Sequence, residues 1–410
     1  QRTITLMKER KEDLTITAAR EGGKPYKDSK VEVERAINGV KLAIEDLSYL
    51  GGSEIPMGHT ASSLNRLAFT RREPIGVVAS VSAFNHPLNL IVHQVIPAVV
   101  VGAPVIVKPA GTTPMSCLNF VRILYEAGLP ERFCQAVVCD NEVAEKMVTD
   151  ARVNFLSFIG SAKVGWMLRS KIAPGTRCAL EHGGAAPAVV TQNANLSKNI
   201  PGLVKGGFYH SGQVCVSVQR IFVHHSVIDE FSKQFLKAVT QLKTGDQLSE
   251  ETDCGPMITP GEADRVESWI KEAVEEGAKL LLGGGRISES LLEPTVLLNP
   301  SRDSKVSREE IFGPVVCIYS YDNASEAVEA CNELPYAFQA SVITDNLEEA
   351  LYFTQEINAT AVMVNDHTAF RVDWMPFGGR DTSGLGLGGI RYSMHDMTRE
   401  KLIVIKSENL

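Results

Sequence analysis

The sequence contains no long uninterrupted apolar run and no excess of positive charge. Its longest apolar stretch, near 91–107, is interrupted by His93, Gln94 and Gly102, which indicates a buried core segment and not a membrane span. Asp and Glu number 49 against 41 Lys and Arg, which gives a formal net charge of −8. This balance argues against nucleic acid or an anionic membrane as the main partner, although it permits a local basic pocket for a small anion.

Cysteine is sparse, with eight thiols in 410 residues and no CxxC pair or Cys/His metal spacing. A disulfide scaffold and a metal site are therefore not expected, and a reducing, cytoplasmic setting fits best. No signal peptide or transit sequence is visible. The chain enters a helix-like segment directly after Gln1, so we expect that some N-terminal sequence is missing.

Helices alternate with short apolar strands in two series, which predicts an α/β fold of two doubly wound, Rossmann-like parallel-sheet domains with a ligand cleft between them. The first series follows two amphipathic helices within 2–50 and has strands at 74–82, 104–108, 134–138 and 153–159 and helices at 87–101, 114–126 and 143–149. The second series follows Gly183-Gly184 and has strands at 187–190, 220–223, 315–321, 340–343 and 361–365 and helices at 226–242 and 261–276.

The tail of the chain, 398–407, alternates charged and apolar residues and predicts one more strand. An exposed strand edge promotes aggregation unless another subunit pairs with it. We therefore expect a small β arm used for oligomerisation, in a homodimer or a homotetramer.

Three residues are candidates for covalent catalysis on a carbonyl group. Cys215, in a Gly-Gln-Val-Cys loop, is either a nucleophile or a small buried hydrophobe. Asn85 follows a predicted strand, so its amide could stabilise an oxyanion or simply cap the next helix. Glu181, before a Gly-Gly turn, could be a general base with a raised pKa or a solvated turn residue.

A second group of residues could bind a nucleotide. Lys108 ends a strand and could contact a ribose or phosphate, or be solvated. Gly160 and Ser161 lie between a strand and a helix, where backbone N–H groups can face phosphate. Glu310 and Phe312 could bind a ribose and brace a flat ring, or belong to a plain Gly-Pro turn. Each signal is weak alone, but their order along the chain is informative.

Taken in that order, these residues resemble the NAD(P)-dependent aldehyde dehydrogenase superfamily. The matching stretches are Phe84-Asn85 with its following proline, Val107-Lys108-Pro109, Phe158-x-Gly160-Ser161, Glu181-x-Gly183-Gly184, Gly212-Gln213-x-Cys215, Glu310-Ile-Phe312-Gly-Pro314, Asn365, and Pro376-Phe-Gly-Gly379 with Ser383-Gly384. They fall within 69–392, nearly the whole chain.

The resemblance implies a role for each candidate. Cys215 would attack the aldehyde, with the oxyanion stabilised by Asn85 and the Cys215 amide, and Glu181 would activate the water that hydrolyses the thioester. The cofactor, NAD or NADP, would be bound by Lys108, Gly160, Ser161, Glu310 and Phe312. The implied domains are a cofactor domain at 1–182, with bridging strands within 55–75, a catalytic domain at 183–385, and a C-terminal segment at 386–410 with an oligomerisation strand.

The chain departs from the family pattern in three places. Gly111 stands where an acidic residue usually binds the adenosine ribose, which makes NADP admissible as well as NAD. Arg380 stands where lysine is common. The family's domain also begins earlier than Gln1, and a chain without that part would have an uncovered cofactor domain.

The expected substrate is a short anionic aldehyde. Arg371 and His86, with Arg35 near the entrance, would bind a distal anion on the substrate. The sequences around two of them, 84–87 and 370–379, resemble the phosphonoacetaldehyde and lactaldehyde dehydrogenase branch. Phosphonoacetaldehyde is the leading expectation; lactaldehyde and a sulfonated or carboxylated semialdehyde stay open, because Val214 is neutral. For Arg371 the alternative is an ion pair with Asp373 or Asp366, and for Arg35 it is solvent. A coenzyme-A-acylating or non-catalytic relative also stays open.

Overall fold

The computed structural model describes residues 1–410. Its helices are α1 (Arg2–Glu9), α2 (Lys11–Gly22), α3 (Tyr26–Asp46), α4 (Asn89–Val100), α5 (Pro114–Glu126), α6 (Asn141–Thr149), α7 (Ala162–Arg169), α8 (Leu196–Phe208), α9 (Ile228–Val239), α10 (Pro260–Glu275), α11 (Lys305–Arg308), α12 (Ala324–Asn332), α13 (Leu347–Glu356) and α14 (Ile390–Asp396). Its strands are β1 (Glu54–Ile55), β2 (Arg66–Pro74), β3 (Val77–Val81), β4 (Val105–Lys108), β5 (Cys134–Ala136), β6 (Val153–Ile159), β7 (Arg177–Glu181), β8 (Ala186–Val190), β9 (Val218–His224), β10 (Lys279–Leu282), β11 (Thr295–Leu298), β12 (Val315–Tyr321), β13 (Tyr336–Ala337), β14 (Gln339–Ile343), β15 (Ala361–Val364), β16 (Arg380–Asp381), β17 (Gly384–Leu385) and β18 (Thr398–Lys406).

Two large sheets, each mostly parallel, form the framework of the fold and confirm the predicted α/β class. One has the strand order β17-β7-β6-β3-β4-β5 and the other β10-β11-β12-β9-β8-β14-β15. Only the edge strands β17 and β10 run antiparallel to their neighbours. The central strands β8 and β14 are buried at all five positions, as expected for strands that are covered on both faces.

The longest apolar run forms helix α4, which is buried at ten of its twelve positions. It packs against α3 and α14 in the largest hydrophobic cluster, and a mostly apolar helix that is buried on nearly every face belongs in a core. No helix of the chain combines the length and the apolar character that crossing a bilayer requires.

The tail strand β18 pairs with β2 along its whole length, from Thr398 opposite Pro74 to Lys406 opposite Arg66. The sequence predicted this strand but not its partner within the same chain, because 324 residues separate Thr398 from Pro74. In the order β1-β2-β18, the second edge of β18 has no strand beside it. Leu402, Val404 and Ile405 are exposed there, so coverage by a second subunit stays a prediction.

Two predicted elements are divided in the structure. The helices within 2–50 number three, because α1 and α2 separate at Arg10. The strand predicted at 74–82 is broken at Gly76, whose φ is +117° and whose Cβ, if present, would lie 2.0 Å from Asn154 Oδ1. As a result β2 and β3 belong to different sheets. The predicted division at 182/183 separates the two large sheets, except that β17 joins the first sheet; the domain roles stay a prediction.

Candidate active site

A cleft of about 610 Å³ is lined by all the site residues that the sequence predicted. Four of its walls are carboxyl ends of parallel strands: Asn85 follows β3, Lys108 ends β4, Gly160 follows β6 and Glu181 ends β7. Ligands of open α/β sheets bind at such ends. We call Lys108, Gly111, Gly160, Ser161 and Glu310 the cofactor side. We call Arg35, His86 and Arg371, with the charged groups Lys24, Glu32 and Asp373 that contact them or their neighbours, the substrate side.

Cys215 follows a tightly packed turn and precedes β9. His210 and Ser211 have φ of 47° and 54°, and the Ser211 hydroxyl donates to the Gly255 carbonyl at 2.6 Å. At Gly212, φ is +69° and a Cβ would lie 2.0 Å from the Gly313 oxygen, so only glycine fits. Burial raises the pKa of the half-buried Cys215 thiol, as do Glu181 and Glu310, whereas Arg371 lowers it. A raised pKa favours the protonated thiol at neutral pH.

Asn85 is buried and lies beside the loop that carries Cys215. Its Nδ2 donates to the Gln213 carbonyl at 3.0 Å, two residues before Cys215. The alternative that Asn85 caps the next helix is wrong, because α4 begins at Asn89 with Leu88 as its N-cap. The contact places the Asn85 amide beside the loop that carries Cys215, as oxyanion stabilisation would require.

Glu181 ends β7 with a side chain only 14% exposed, so the alternative of a solvated turn residue is wrong. Burial raises its pKa, and Arg371 opposes that shift with Nη1 3.9 Å from Glu181 Oε1. A Cβ at Gly388 would lie 3.0 Å from Glu181 Oε2, so the glycine-rich loop restricts the carboxylate from the other side. A carboxylate with a raised pKa can accept a proton from water.

The cofactor side fits a dinucleotide. Lys108 is only 8% exposed, and its Nζ makes no hydrogen bond or ion pair within the chain, so a buried cation is free to meet a phosphate or ribose. Gly160 allows no side chain, since a Cβ would lie 2.8 Å from the Phe158 ring, and Ser161 is the N-cap of α7. Gly111 has open space around it.

Glu310 and Phe312 complete the cofactor side. Burial raises the pKa of Glu310 to about 8, although the Gly184 N–H donates to its Oε1 at 3.2 Å and opposes the shift. Phe312 has a φ of 49°, and its ring meets Phe84 edge to face, with centroids 5.6 Å apart. Contacts with Phe84 and with the Gly184 N–H therefore hold the Phe312 ring and the Glu310 carboxyl group in position.

Arg371 forms neither of the two ion pairs considered for it, with Asp373 or with Asp366. Asp373 is occupied by Arg35, at 2.7 and 3.1 Å, and by His93 Nε2 at 2.9 Å, so the alternative of an Arg371–Asp373 pair is wrong, and no pair with Asp366 forms. The Arg371 guanidinium lies 3.6 Å from the Phe377 ring centroid, and its buried Nε has no partner. Arg35 is also not a solvent residue, since its side chain is only 23% exposed.

His86 lies on the substrate side against buried charges. Its Nδ1 is 2.7 Å from Lys24 Nζ, and Lys24 forms a fully buried ion pair with Glu32. Burial, reinforced by Lys24 and the nearby arginines, holds the pKa of His86 well below its usual value.

Sequence reasoning missed five residues of the cleft or its supports: Lys24, Glu32, Asn141, Tyr209 and Arg265. Tyr209 directly precedes the turn that leads to Cys215, so its place in the sequence next to the candidate nucleophile could have indicated that it lines the cleft. Lys24 and Glu32 lie near the Gly-Gly-Lys-Pro break, but nothing in their neighbours indicates burial. Asn141 and Arg265 carry no sequence signal that we recognise.

Comparisons with known proteins agree with this geometry. The aldehyde dehydrogenase family model matches residues 1–403, and the chain belongs to the aldehyde dehydrogenase family. It is 40% identical over 401 residues to 3-sulfolactaldehyde dehydrogenase of Priestia aryabhattai, covering 98% of this chain and 84% of that protein. It is 37% identical to lactaldehyde dehydrogenase of Methanocaldococcus jannaschii, covering 97% and 85%. The predicted enzyme class, an NAD(P)-dependent aldehyde dehydrogenase, is confirmed.

Solved structures support the same assignment. Aldehyde dehydrogenase 21 of Physcomitrella patens, in complex with the reaction product succinate, superposes with a TM-score of 0.95 at 37% identity, covering 99% of this chain and 84% of that one. Glyceraldehyde-3-phosphate dehydrogenase of Methanocaldococcus jannaschii, complexed with NADP, gives 0.94 at 36% identity, covering 99% and 88%.

Proposed function

We propose that this enzyme oxidises a short aldehyde with a distal, singly charged anion to its carboxylate, using NAD or NADP. One observation carries the substrate class: Arg371 is buried in the cleft, its Nε has no partner, and its nearest carboxylate is 3.9 Å away. The Arg371 Nη1 group and the second proton of Nη2, which lies 3.4 Å from His93 Nδ1, can donate to a carboxylate or sulfonate. Arg35 contributes little net charge, because Asp373 neutralises it.

The chain's own residues supply nucleophile, donors and base. Cys215 Sγ adds to the aldehyde carbon as its thiol proton passes to Glu181 and on to solvent, and the Asn85 amide and the Cys215 N–H stabilise the resulting oxyanion. Lys108, Glu310 and Phe312 would hold the nicotinamide cofactor, which would supply the acceptor for the aldehydic hydride. Cys215 would then carry the acyl group as a thioester. Glu181 then takes a proton from a water molecule, which attacks the thioester and releases the carboxylate and the free thiol.

Two features favour a singly charged anion over a phosphonate. Val214, beside the nucleophile, adds no cation, so Arg371 is the main uncompensated positive charge. The relatives named for 3-sulfolactaldehyde and lactaldehyde point to short hydroxylated or sulfonated aldehydes. Phosphonoacetaldehyde, the leading expectation from the sequence, is retained as a test substrate.

The cofactor choice, the acyl acceptor and the assembly are parts of the same proposal. Gly111 provides neither a carboxylate for the ribose 2′-hydroxyl nor a charge against a 2′-phosphate, so both cofactors are accepted. The buried Glu181 favours water over coenzyme A as acceptor. The open edge of β18 supports a homodimer or homotetramer, and the free Cys215 thiol suits a reducing, cytoplasmic setting.

The test is a panel of aldehydes on the wild type and on Arg371→Met, with the exposed Arg380→Met as matched control. The panel contains 3-sulfolactaldehyde, succinic semialdehyde, phosphonoacetaldehyde, lactaldehyde and propanal, each with both cofactors. We expect kcat/KM for the anionic aldehydes to fall about 10- to 100-fold in Arg371→Met, the loss of about 1.5–3 kcal/mol from a charged hydrogen bond. Propanal should change less than about threefold. Equal losses for all five aldehydes would rule out Arg371 as the anion-binding residue.

A further inference from the structure

The contact between Lys24 and His86 determines which nitrogen of the His86 imidazole carries the proton. Lys24 lies between α2 and α3, and its Nζ is 2.7 Å from His86 Nδ1 and 2.5 Å from Glu32 Oε2. The other oxygen of Glu32 accepts from the N–H groups of Leu88 and Asn89, at 2.8 and 3.0 Å. Glu32 is therefore fixed at the start of α4, and it holds Lys24 against His86.

The proton on His86 can be located from this contact. Burial lowers the pKa of Lys24, but the Glu32 carboxylate 2.5 Å away favours its ammonium form. An ammonium has three donors and no acceptor, so His86 Nδ1 must accept, and the proton of a neutral ring must lie on Nε2. Because burial and the surrounding cations keep the ring neutral, Nε2–H is a neutral donor. His86 Nε2 makes no hydrogen bond within the chain and is not among the fully buried polar atoms, and His86 lines the cleft.

We propose that Lys24 is a positioning residue that fixes His86 as a neutral Nε2–H donor to a substrate oxygen, and thereby selects hydroxylated or singly charged aldehydes over dianionic ones. The inference deepens the proposed function and rests on it for the identity of the substrate. Arg371 compensates one negative charge, and a second one in this buried cleft would find only a neutral donor. An uncompensated buried charge is strongly unfavourable.

The surroundings of His86 predict what happens without Lys24. The titratable groups that face the ring are Lys24, Glu32 and Arg35 from the α2–α3 region, Tyr209 and His210 from the turn before Cys215, and Arg371. In Lys24→Met, Glu32 would be left as a buried carboxylate 3.9 Å from His86 Nδ1. The ring would then take up a proton as the partner of Glu32, so the neutral donor would become a cation.

The first experiment measures the protonation of His86 directly. ¹⁵N NMR of imidazole-labelled enzyme, with the His86 signals assigned by His86→Gln, should show Nδ1 unprotonated and Nε2 protonated in the wild type, without titration between pH 6 and 8. Lys24→Met should show both nitrogens protonated, and Lys24→Met/Glu32→Gln should show a neutral ring again. A wild-type ring that is protonated on Nδ1, or that titrates near its usual pKa, would overturn the inference whatever the substrate is.

The second experiment measures selection. The ratio of kcat/KM for phosphonoacetaldehyde to that for 3-sulfolactaldehyde, at pH 7.5, should rise about fivefold in Lys24→Met, because a charged donor binds more strongly than a neutral one. The double variant and His86→Gln, which keeps a neutral donor, should stay within about twofold of the wild type. Propanal turnover corrects each variant for lost folded protein. An unchanged ratio in Lys24→Met would refute the selection. Failure of the proposed function has a different signature, equal losses for all aldehydes in Arg371→Met.

Discussion

On the substrate side of the cleft Lys24 and Arg35 each form a close ion pair and Arg371 lies 3.9 Å from a carboxylate, whereas on the cofactor side the Lys108 side chain contacts no charged group. Lys24 pairs with Glu32, Arg35 with Asp373, and Arg371 loosely with Glu181. A short aldehyde has few atoms that can contact the protein, so the side chains that bind it must be held in place before it arrives. A dinucleotide carries its own phosphates and hydroxyls, and a cation can therefore remain unpaired until it binds.

The largest expected effect concerns Glu181, the carboxylate that Arg371 approaches. Glu181→Gln should lower steady-state turnover about 10²- to 10⁴-fold, because the thioester loses its general base. A first burst of about one reduced cofactor per active site should persist, since hydride transfer precedes hydrolysis. Stopped-flow absorbance measures both phases. Unimpaired steady turnover would contradict the role, and acceleration of the wild type by coenzyme A, with a thioester product, would favour the acylating alternative.

The next effect concerns the unpaired cation of the cofactor side. Lys108→Met should weaken cofactor binding about 10- to 100-fold, because a hydrogen bond to a charged group is lost. KM for the aldehyde at saturating cofactor should change less than about threefold. Fluorescence titration with the reduced cofactor measures the dissociation constant, and the exposed Lys198→Met is the control. If the aldehyde KM rises as much as the cofactor constant, the two sides do not act separately.

A smaller effect should follow from adding an acid to the cofactor side. Gly111→Glu has open space for its side chain, and the carboxylate would accept from a ribose 2′-hydroxyl and repel a 2′-phosphate. The ratio of kcat/KM with NAD to that with NADP should rise about tenfold. Gly111→Gln, of the same size without the charge, separates repulsion from steric effects. An equal shift in both variants would show that charge does not decide the cofactor.

The smallest expected effect is on the free energy of unfolding and concerns Asp28, a buried carboxyl group near Lys24. Burial raises the pKa of Asp28, on α3, to about 6, although Lys24 opposes the shift. A carboxyl with a raised folded-state pKa stabilises the fold below its unfolded pKa, and that stability is lost as pH rises through about 6. Asp28→Asn should therefore be more stable than the wild type by about 2 kcal/mol at pH 8 and equal to it near pH 4. Urea unfolding at both pH values measures this, with the exposed Asp13→Asn as control; a pH-independent difference would contradict it.

Local signals in the sequence predicted much of the fold. Proline at N1 and apolar spacing placed α5 at Pro114–Glu126, and short apolar runs placed β6 and β12 at their observed bounds. The motif residues from Asn85 to Phe312 were found because strand ends and glycine turns mark such positions, and the structure brings them into one cleft.

What the sequence missed depends on contacts between distant residues. Asp373 looked available to Arg371 because only one residue separates them, yet Arg35, 338 positions away, occupies it. The burial of Lys24 likewise follows from the packing of α2, α3 and α4 and from no local pattern. Pairing of charges is decided by tertiary structure, so proximity along the chain was a poor guide.

The return of the last strands to the first half of the chain has a consequence for biosynthesis. β17 completes the sheet of β7, and β18 covers β2, across 203 positions between Gly384 and Glu181 and 324 between Thr398 and Pro74. At roughly 5–20 residues per second, the ribosome exposes β2 well before it delivers β18. The edge of β2 is then an open template for pairing with other nascent chains. Late closure of this sheet leaves the growing polypeptide open to such pairing until its final residues emerge.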